Sequence, residues 1–486
     1  MTAIDRRSFL RAGVGAAGAL ALAGPFQGLV AHAAAAHNPP GRRRGFGPLV
    51  DKPDLADGVV RLAVPRGYVY RSFGATGDPM ADGGVTPGRQ DGMAAFVGPH
   101  HTIRLVRNHE QQFSGAPIGD PARSYDTVTQ GGTTTLEIQP RTRELLRSWV
   151  SLTGSTFNCA GGPTPWGTWL SVEETVNGPD VGPDFAGAGP DFQQRHGYLF
   201  EVDPRWDPDE YPKIEPIRAV GRMPHEAAAV DPATGYVYQT EDQFLFPAGV
   251  YRYRPPGTGY GHGRRRRRPR RVLDGGVLEM LRIRGATEPT QLGGVLPVGS
   301  VFDIDWVRIP EPDFDGGGAP NDDAIRTVSL QGFAQNAAIF ARPEGLWATH
   351  RAIFFSCTRG GATQLAINPP NEYANGRGQI WRLDPRRDKL TLIFQSTDPD
   401  VLDLPDNITI SRMGTIVICE DNTDGTNFVR LLDRHGNIFP FAENRATVDE
   451  FAGAAISPAG HTLFVNTQAS IGRTFAIWSE RGSLGF

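Results

Sequence analysis

Cysteine is nearly missing from this 486-residue chain, with Cys159, Cys357 and Cys419 its full complement. A small, odd number excludes a disulfide-stapled scaffold and leaves at least one thiol free or ligating. Apolar runs long enough to span a membrane are also missing, so no stable membrane anchor is expected. Neither sign of charge dominates: 49 Lys and Arg face 53 Asp and Glu, for a net charge of −4, so no global field draws the chain to nucleic acid or an anionic membrane. The G-x-S-x-G elbow, the P-loop and the H-E-x-x-H helix motif do not occur, which removes the common serine-hydrolase, nucleotide-hydrolase and zinc-protease readings. What is abundant is turn chemistry. With 60 Gly, 40 Pro and only 39% hydrophobic residues, the chain suits many short strands joined by turns, a mostly β protein.

Two stretches depart from this balance. The basic run "RRRRRPRR", Arg264 to Arg271, is flanked by Gly and Pro and reads as a solvated loop, so no nucleic-acid partner is expected. The N-terminus, "DRRSFLRAGVGAAGALALAGPFQGLVAHA", places paired Arg6 and Arg7 before a weakly apolar, small-residue run and an A-x-A site ending at Ala33. That is the pattern of a twin-arginine export signal cleaved near Ala33. It implies the twin-arginine translocase as a partner during export and an extracytoplasmic, secreted product. Export of folded protein by this route raises the expectation of a metal loaded beforehand.

Three pieces, "GTWLSVEE", "GYVYQTED" and "GTIVICED", each carry a glycine followed by a strand-like run and two acids: Glu173/Glu174, Glu241/Asp242 and Glu420/Asp421. Each has a partner strand upstream that begins with a polar anchor. Folding "HEAAAVDPATGYVYQTED" at its turn brings Glu226 beside Glu241 and Asp242. The same fold sets Asn158 and Cys159 opposite Glu173 and Glu174, and Asp406 and Asn407 opposite Glu420 and Asp421. Three looser hairpins follow the plan, with Asp91 opposite Asn108 to Glu110, Arg342 and Glu344 opposite Arg359, and Glu450 opposite Asn466 to Gln468. Six hairpins with polar open ends predict an all-β, six-bladed β-propeller. The expected organisation is a signal at 1–33, an N-terminal extension with the first strands at 34–90, and one propeller domain at 91–486 with long surface insertions at about 256–300 and 310–323.

A single acidic doublet at a strand end reads as a solvated turn; six polar ends gathered at one channel mouth do not. Mutual repulsion there is relieved by bound cations. The candidate metal ligands are Glu110, Cys159, Glu173, Glu174, Glu226, Glu241, Asp242, Glu344, Asp406, Glu420 and Asp421. Oxygen-rich ligation suits Ca²⁺, and a thiolate beside carboxylates suits iron. Cys159 is otherwise a small buried residue, as Cys357 and Cys419 are expected to be. Strand alternation makes His109 and His225 packing or supporting groups behind Glu110 and Glu226.

The stretches "GMAAF…RLVRNHE", "NCAGGPTPWGTWLSVEE", "HEAAAVDPATGYVYQTED", "ARPEG", "PDNI…CED" and "FAGAAISPAGHTLFVNTQ" together resemble the PhoX family of secreted alkaline phosphatases, in order from about Asp91 to the C-terminus. The resemblance implies a twin-arginine-exported six-bladed propeller whose site holds Ca²⁺ and Fe³⁺ ions and hydrolyses small-molecule phosphate monoesters; a monomer is expected. By that resemblance Cys159 is an iron ligand, Glu110, Glu174, Glu226, Glu241 and Glu344 are metal ligands, and Arg342 binds phosphate. Arg342, Glu344 and Arg359 form the candidate catalytic set; Arg359 reads equally as a second phosphate donor or an ion-pair partner. Two other functions compete: a calcium-dependent lactonase on a six-bladed propeller, compatible with "RPEG" and "PDN", and a non-catalytic binding propeller with structural metals.

Overall fold

The structure is a computed structural model that describes residues 45–486, apart from 190, 260–269, 369–371 and 423–424. The twin-arginine motif and all but the end of the basic run therefore lie outside the described residues. Among the described residues no helix is long and apolar enough to cross a membrane.

Strands dominate, and they assemble as six blades around one axis. Blade one is Gln90–Val97, Ile103–His109, Gly131–Ile138 and Leu145–Ser155. Blade two is Gly161–Pro163, Trp169–Val172 and Leu199–Val202, and blade three is His225–Val230, Val237–Glu241, Val250–Arg254 and Val277–Ile283. Blade four is Pro343–Ala348, Ile353–Cys357, Gln379–Asp384 and Lys389–Gln395. Blade five is Pro405–Ile410, Ile416–Glu420, Phe428–Leu432 and Ile438–Asn444. Blade six pairs Phe451–Ile456, Leu463–Thr467 and Arg473–Ser479 with Tyr68–Phe73 from the start of the chain, which closes the ring. Closure of this kind leaves no exposed edge at the joint between the two ends of the chain.

The expected bounds need adjusting in two places. Leu49–Pro53 and Val60–Pro65 do not stand apart as an extension; they continue the sheet of blade five. Nor is 256–300 wholly an insertion, because Val277–Ile283 is the outer strand of blade three. It pairs with Val301–Arg308, which in turn bridges to Lys389–Gln395 of blade four. Charged residues that alternate through these outer strands mask their apolar faces in the sequence. The stretch 310–323 is a loop as far as 320 and then enters the first of two short helices, Asn321–Ala324 and Thr327–Phe333.

The hairpin turns show why the glycines recur at fixed spacing. Thr164, Ser411 and Ser457 each accept the N–H of a residue four positions on through their side-chain hydroxyls, at 3.0, 3.1 and 3.1 Å. The residue before that donor is Gly167, Gly414 or Gly460, at φ +88°, +86° and +79°, the left-handed geometry that favours glycine. A second glycine set follows the polar anchors at the other end of the strands. A Cβ on Gly345 would lie 2.6 Å from the Asp406 carbonyl oxygen, and one on Gly92 would meet the backbone of Ala160. Innermost strands of adjacent blades thus touch backbone to backbone around the axis. Gly92→Ala and Gly345→Ala are each expected to cost about 3 kcal/mol in stability. The control Gly167→Ala, in open space, should cost about 1 kcal/mol for backbone strain alone. Equal losses in a denaturant titration would mean that the axial strands are not in tight contact.

Candidate metal centre

The innermost strands do not pair evenly with their neighbours. In four blades the ladder slips where the polar anchor sits: between Gln90 and Met93, His225 and Ala227, Pro343 and Leu346, and Pro405 and Ile408. Asp91, Glu226, Glu344 and Asp406 are therefore bulged residues. The expected register, with Glu226 facing Glu241, is replaced by His225 facing Glu241. A bulge re-aims a side chain that regular pleating would send into the sheet. Four blades add a second device. Arg89, Phe157, Arg342 and Leu404 sit at φ 50°, 50°, 49° and 49°, two residues before Asp91, Cys159, Glu344 and Asp406 respectively. A non-glycine residue held there costs on the order of 1–3 kcal/mol, strain that collects at functional sites.

The outcome is a compact acidic centre. Ligand atoms of Asp91, Glu110 and Cys159 lie within 4.8 Å of one another, as do those of Cys159, Glu174 and Glu226, and those of Glu226, Glu344 and Asp406. The Cys159 Sγ lies within hydrogen-bond reach of both Glu174 Oε2, at 2.8 Å, and Glu110 Oε1, at 3.3 Å. Asp91, Glu110, Cys159, Glu226 and Glu344 are all buried. Burial first, and repulsion from neighbouring carboxylates second, pushes Glu174, Glu226 and Glu344 well above the usual carboxylate range. The same two causes raise Asp406, with Asp421 its main neighbour, to about 7. They also push up the Cys159 thiol, which Glu110, Glu174 and Glu226 surround. A site that disfavours its own ionised ligands so strongly fits cations that would hold them ionised.

Arg342 borders the centre. Its Nε and Nη2 fork the Asp242 carboxylate at 3.1 and 2.6 Å, and Nη2 also lies 3.1 Å from Glu344 Oε1. Arg359 lies beyond it, paired with Glu372. Arg89 pairs with Glu110 at 3.2 Å.

The first member of each opening doublet is turned away from this centre, which corrects the expectation for Glu173, Glu241 and Glu420. Glu173 accepts from Thr156 N, Gly197 N and Tyr198 N, and His196 Nδ1 lies 2.7 Å away. Glu241 accepts from Gly249 N, the Tyr251 hydroxyl and Gln243 Nε2. Glu420 accepts from Asp403 N, Phe428 N and Arg430 Nε. Each clamps the start of the third strand of its own blade. The second members, Glu174 and Asp242, face the axis, because successive side chains on a strand point to opposite faces. Asp421 follows the same side, where it interacts with Glu450. His109 and His225 bond to Gly88 O and Gly221 O, away from the cluster. Cys357 and Cys419 lie in the apolar core.

Asp91 and Glu450, expected only as polar anchors of the looser hairpins and not among the candidate ligands, also belong to the acidic centre. The glycine after Asp91 in "QDGM", matched by "PEGL", is the signal that could have found it. Nothing in the sequence marks Arg89 or Glu372.

The profile of the alkaline phosphatase PhoX family matches residues 44–470. The structure is similar to that of PhoX from Pseudomonas fluorescens, solved in complex with vanadate, a transition-state analogue, at 18% identity and a TM-score of 0.66 over 91% of this chain and 99% of that one. At that identity the likeness establishes the propeller fold. A gluconolactonase from Xanthomonas campestris is more remote, at 14% identity and a TM-score of 0.35 over 80% of this chain and 96% of that one, and carries no argument. No curated protein matches the chain. A family match spanning nearly all the described residues, together with a buried carboxylate-and-thiol centre at one end of the axis, makes this chain a member of the PhoX alkaline phosphatase family and a metal-dependent phosphatase.

Proposed function

We propose that the protein hydrolyses small-molecule phosphate monoesters outside the cytoplasm, using Ca²⁺ and Fe³⁺ at the acidic centre. The observation that carries this reading is the donor set: buried carboxylates converging on a single thiol beside a forked arginine. Cys159 with Glu110 and Glu174 is the set suited to iron. Glu226, Glu344 and Asp406, all oxygen donors, suit calcium. When bound, such cations supply Lewis-acid charge to the phosphoryl oxygens and acidify water. The chain's own residues do the rest. Asp242 fixes the Arg342 guanidinium by its two-pronged contact, so that its remaining N–H groups are held in one plane for phosphoryl oxygens. Arg359 is the second donor.

A calcium lactonase has no use for a thiol among the axial carboxylates, and that reading is not favoured. Arg6, Arg7 and the Ala33 site support export through the twin-arginine route, and the mature protein is proposed to act as a monomer.

Elemental analysis of purified protein, alongside turnover of a chromogenic phosphate ester, tests the assignment. Iron together with calcium is expected. Cys159→Ser should lose iron and at least 100-fold in kcat while keeping the fold, since the blades are held by their own sheets and not by this one side chain. Full iron content and full turnover in that variant would make Cys159 a core residue.

A further inference from the structure

Blade four presents two guanidinium groups at the same end of the axis, Arg342 just before its innermost strand and Arg359 just after its second. Between them stands a carboxylate that the sequence does not single out. Glu372 Oε1 lies 3.6 Å from Arg342 Nη1, and Oε2 pairs with Arg359 Nη2. Glu372 begins the second strand of a small ribbon, Ile367–Asn368 with Glu372–Tyr373, within the connection from the second to the third strand of the blade. Tyr373, beside Glu372, is anchored. Tyr373 is buried and donates its N–H to Phe244 O at 2.8 Å, while the Phe244 ring covers Arg342 at 5.0 Å. Arg359 keeps a buried Nε without a hydrogen-bond partner. Its capacity for an oxygen anion is therefore only partly filled.

Guanidinium groups bind carboxylate and phosphate oxygens by the same planar fork. Resting on the phosphatase reading above, we propose that Glu372 is a resident anion that holds the phosphoryl position of Arg342 and Arg359 until substrate displaces it, and so sets the affinity for both ester and inorganic phosphate. The energetic argument is an exchange. A phosphoryl group entering the fork gains two charge-assisted contacts but must release Glu372 from the same two partners, so the net gain is the difference. Product release benefits equally, because the returning carboxylate replaces the departing phosphate and leaves neither guanidinium uncompensated.

The test is Glu372→Gln in the metal-loaded enzyme, which preserves shape and removes the charge. The expected result is a roughly tenfold lower KM for a chromogenic phosphate ester and a similar fall in Ki for inorganic phosphate and for orthovanadate, with a smaller change in kcat. Calorimetric titration of inorganic phosphate into Glu372→Ala should show the same tightening. An unchanged or raised KM and Ki would overturn the proposal and make Glu372 an orienting partner of the arginines. A loss of kcat with KM unchanged would also overturn it, in favour of proton donation to the leaving group. If the parent enzyme neither turned over phosphate esters nor bound phosphate, the phosphatase reading itself would fail, a result visible without any variant.

Discussion

Stripping cations from the protein is expected to abolish phosphate-ester hydrolysis and to lower its Tm by roughly 5 °C. Each ion held at 100 times its Kd contributes about 2.7 kcal/mol by mass action, so even two sites account for a shift of that order. The stripped protein should also acquire a pH dependence that the loaded one lacks. Glu174, Glu226, Glu344 and Asp406 have their folded pKa raised by burial and by one another. Between the ordinary carboxylate value and the raised one, the native state binds more protons than the unfolded state, and stability falls as pH rises. For Asp406 this window runs from about 3.8 to about 7. Melting of the stripped protein should therefore worsen steadily from pH 5 to pH 8, and added Ca²⁺ should flatten the curve. The double variant Glu226→Gln with Glu344→Gln, two charges fewer at the centre, should lose less on chelation at pH 8. Identical melting with and without chelator at every pH would mean that these carboxylates are not neutralised by cations at all.

The acidic doublets separate into two functions, and paired substitutions should resolve them. Glu173→Ala is expected to cost about 3–5 kcal/mol of stability even in metal-free protein. Burial pulls His196 towards neutrality, yet Glu173 and Asp126 hold it charged with a pKa of about 9. Removing Glu173 leaves that buried imidazolium short of its closest counter-charge and orphans the N–H groups of Thr156, Gly197 and Tyr198. Glu174→Gln, one residue away, should do the opposite. It removes a repelling charge, so the metal-free protein melts no lower than the parent, while metal content falls and kcat drops by at least 100-fold. Thermal melts of chelated protein and elemental analysis read the two effects separately. The alternation argument fails if Glu173→Ala loses metal while its chelated form stays as stable as the parent's.

The same doublets show where the sequence suffices. Turn residues such as Thr164–Gly167 and Ser411–Gly414 act within a few positions of chain, so hairpins, blade number and the convergence of polar ends were all legible in local pattern. Cys159, Glu110, Glu174 and Glu344 were legible for the same reason, because each sits at a strand end whose neighbours define it. What depends on contact between distant segments was not. The ring closes by pairing Tyr68–Phe73 with Arg473–Ser479, some 400 positions away, and no local signal marks that partner. Which residues of the innermost strands reach the centre was decided by the bulges, which re-aim Asp91, Glu226, Glu344 and Asp406 out of the regular pleat. Glu372 reaches Arg342 and Arg359 only because a ribbon from the connection folds back over the blade. The sequence by itself determined the blades and the acidic character of their shared end, since both are written in short-range spacing. The tertiary structure alone decided which side chains meet there, since that is set by backbone packing around the axis.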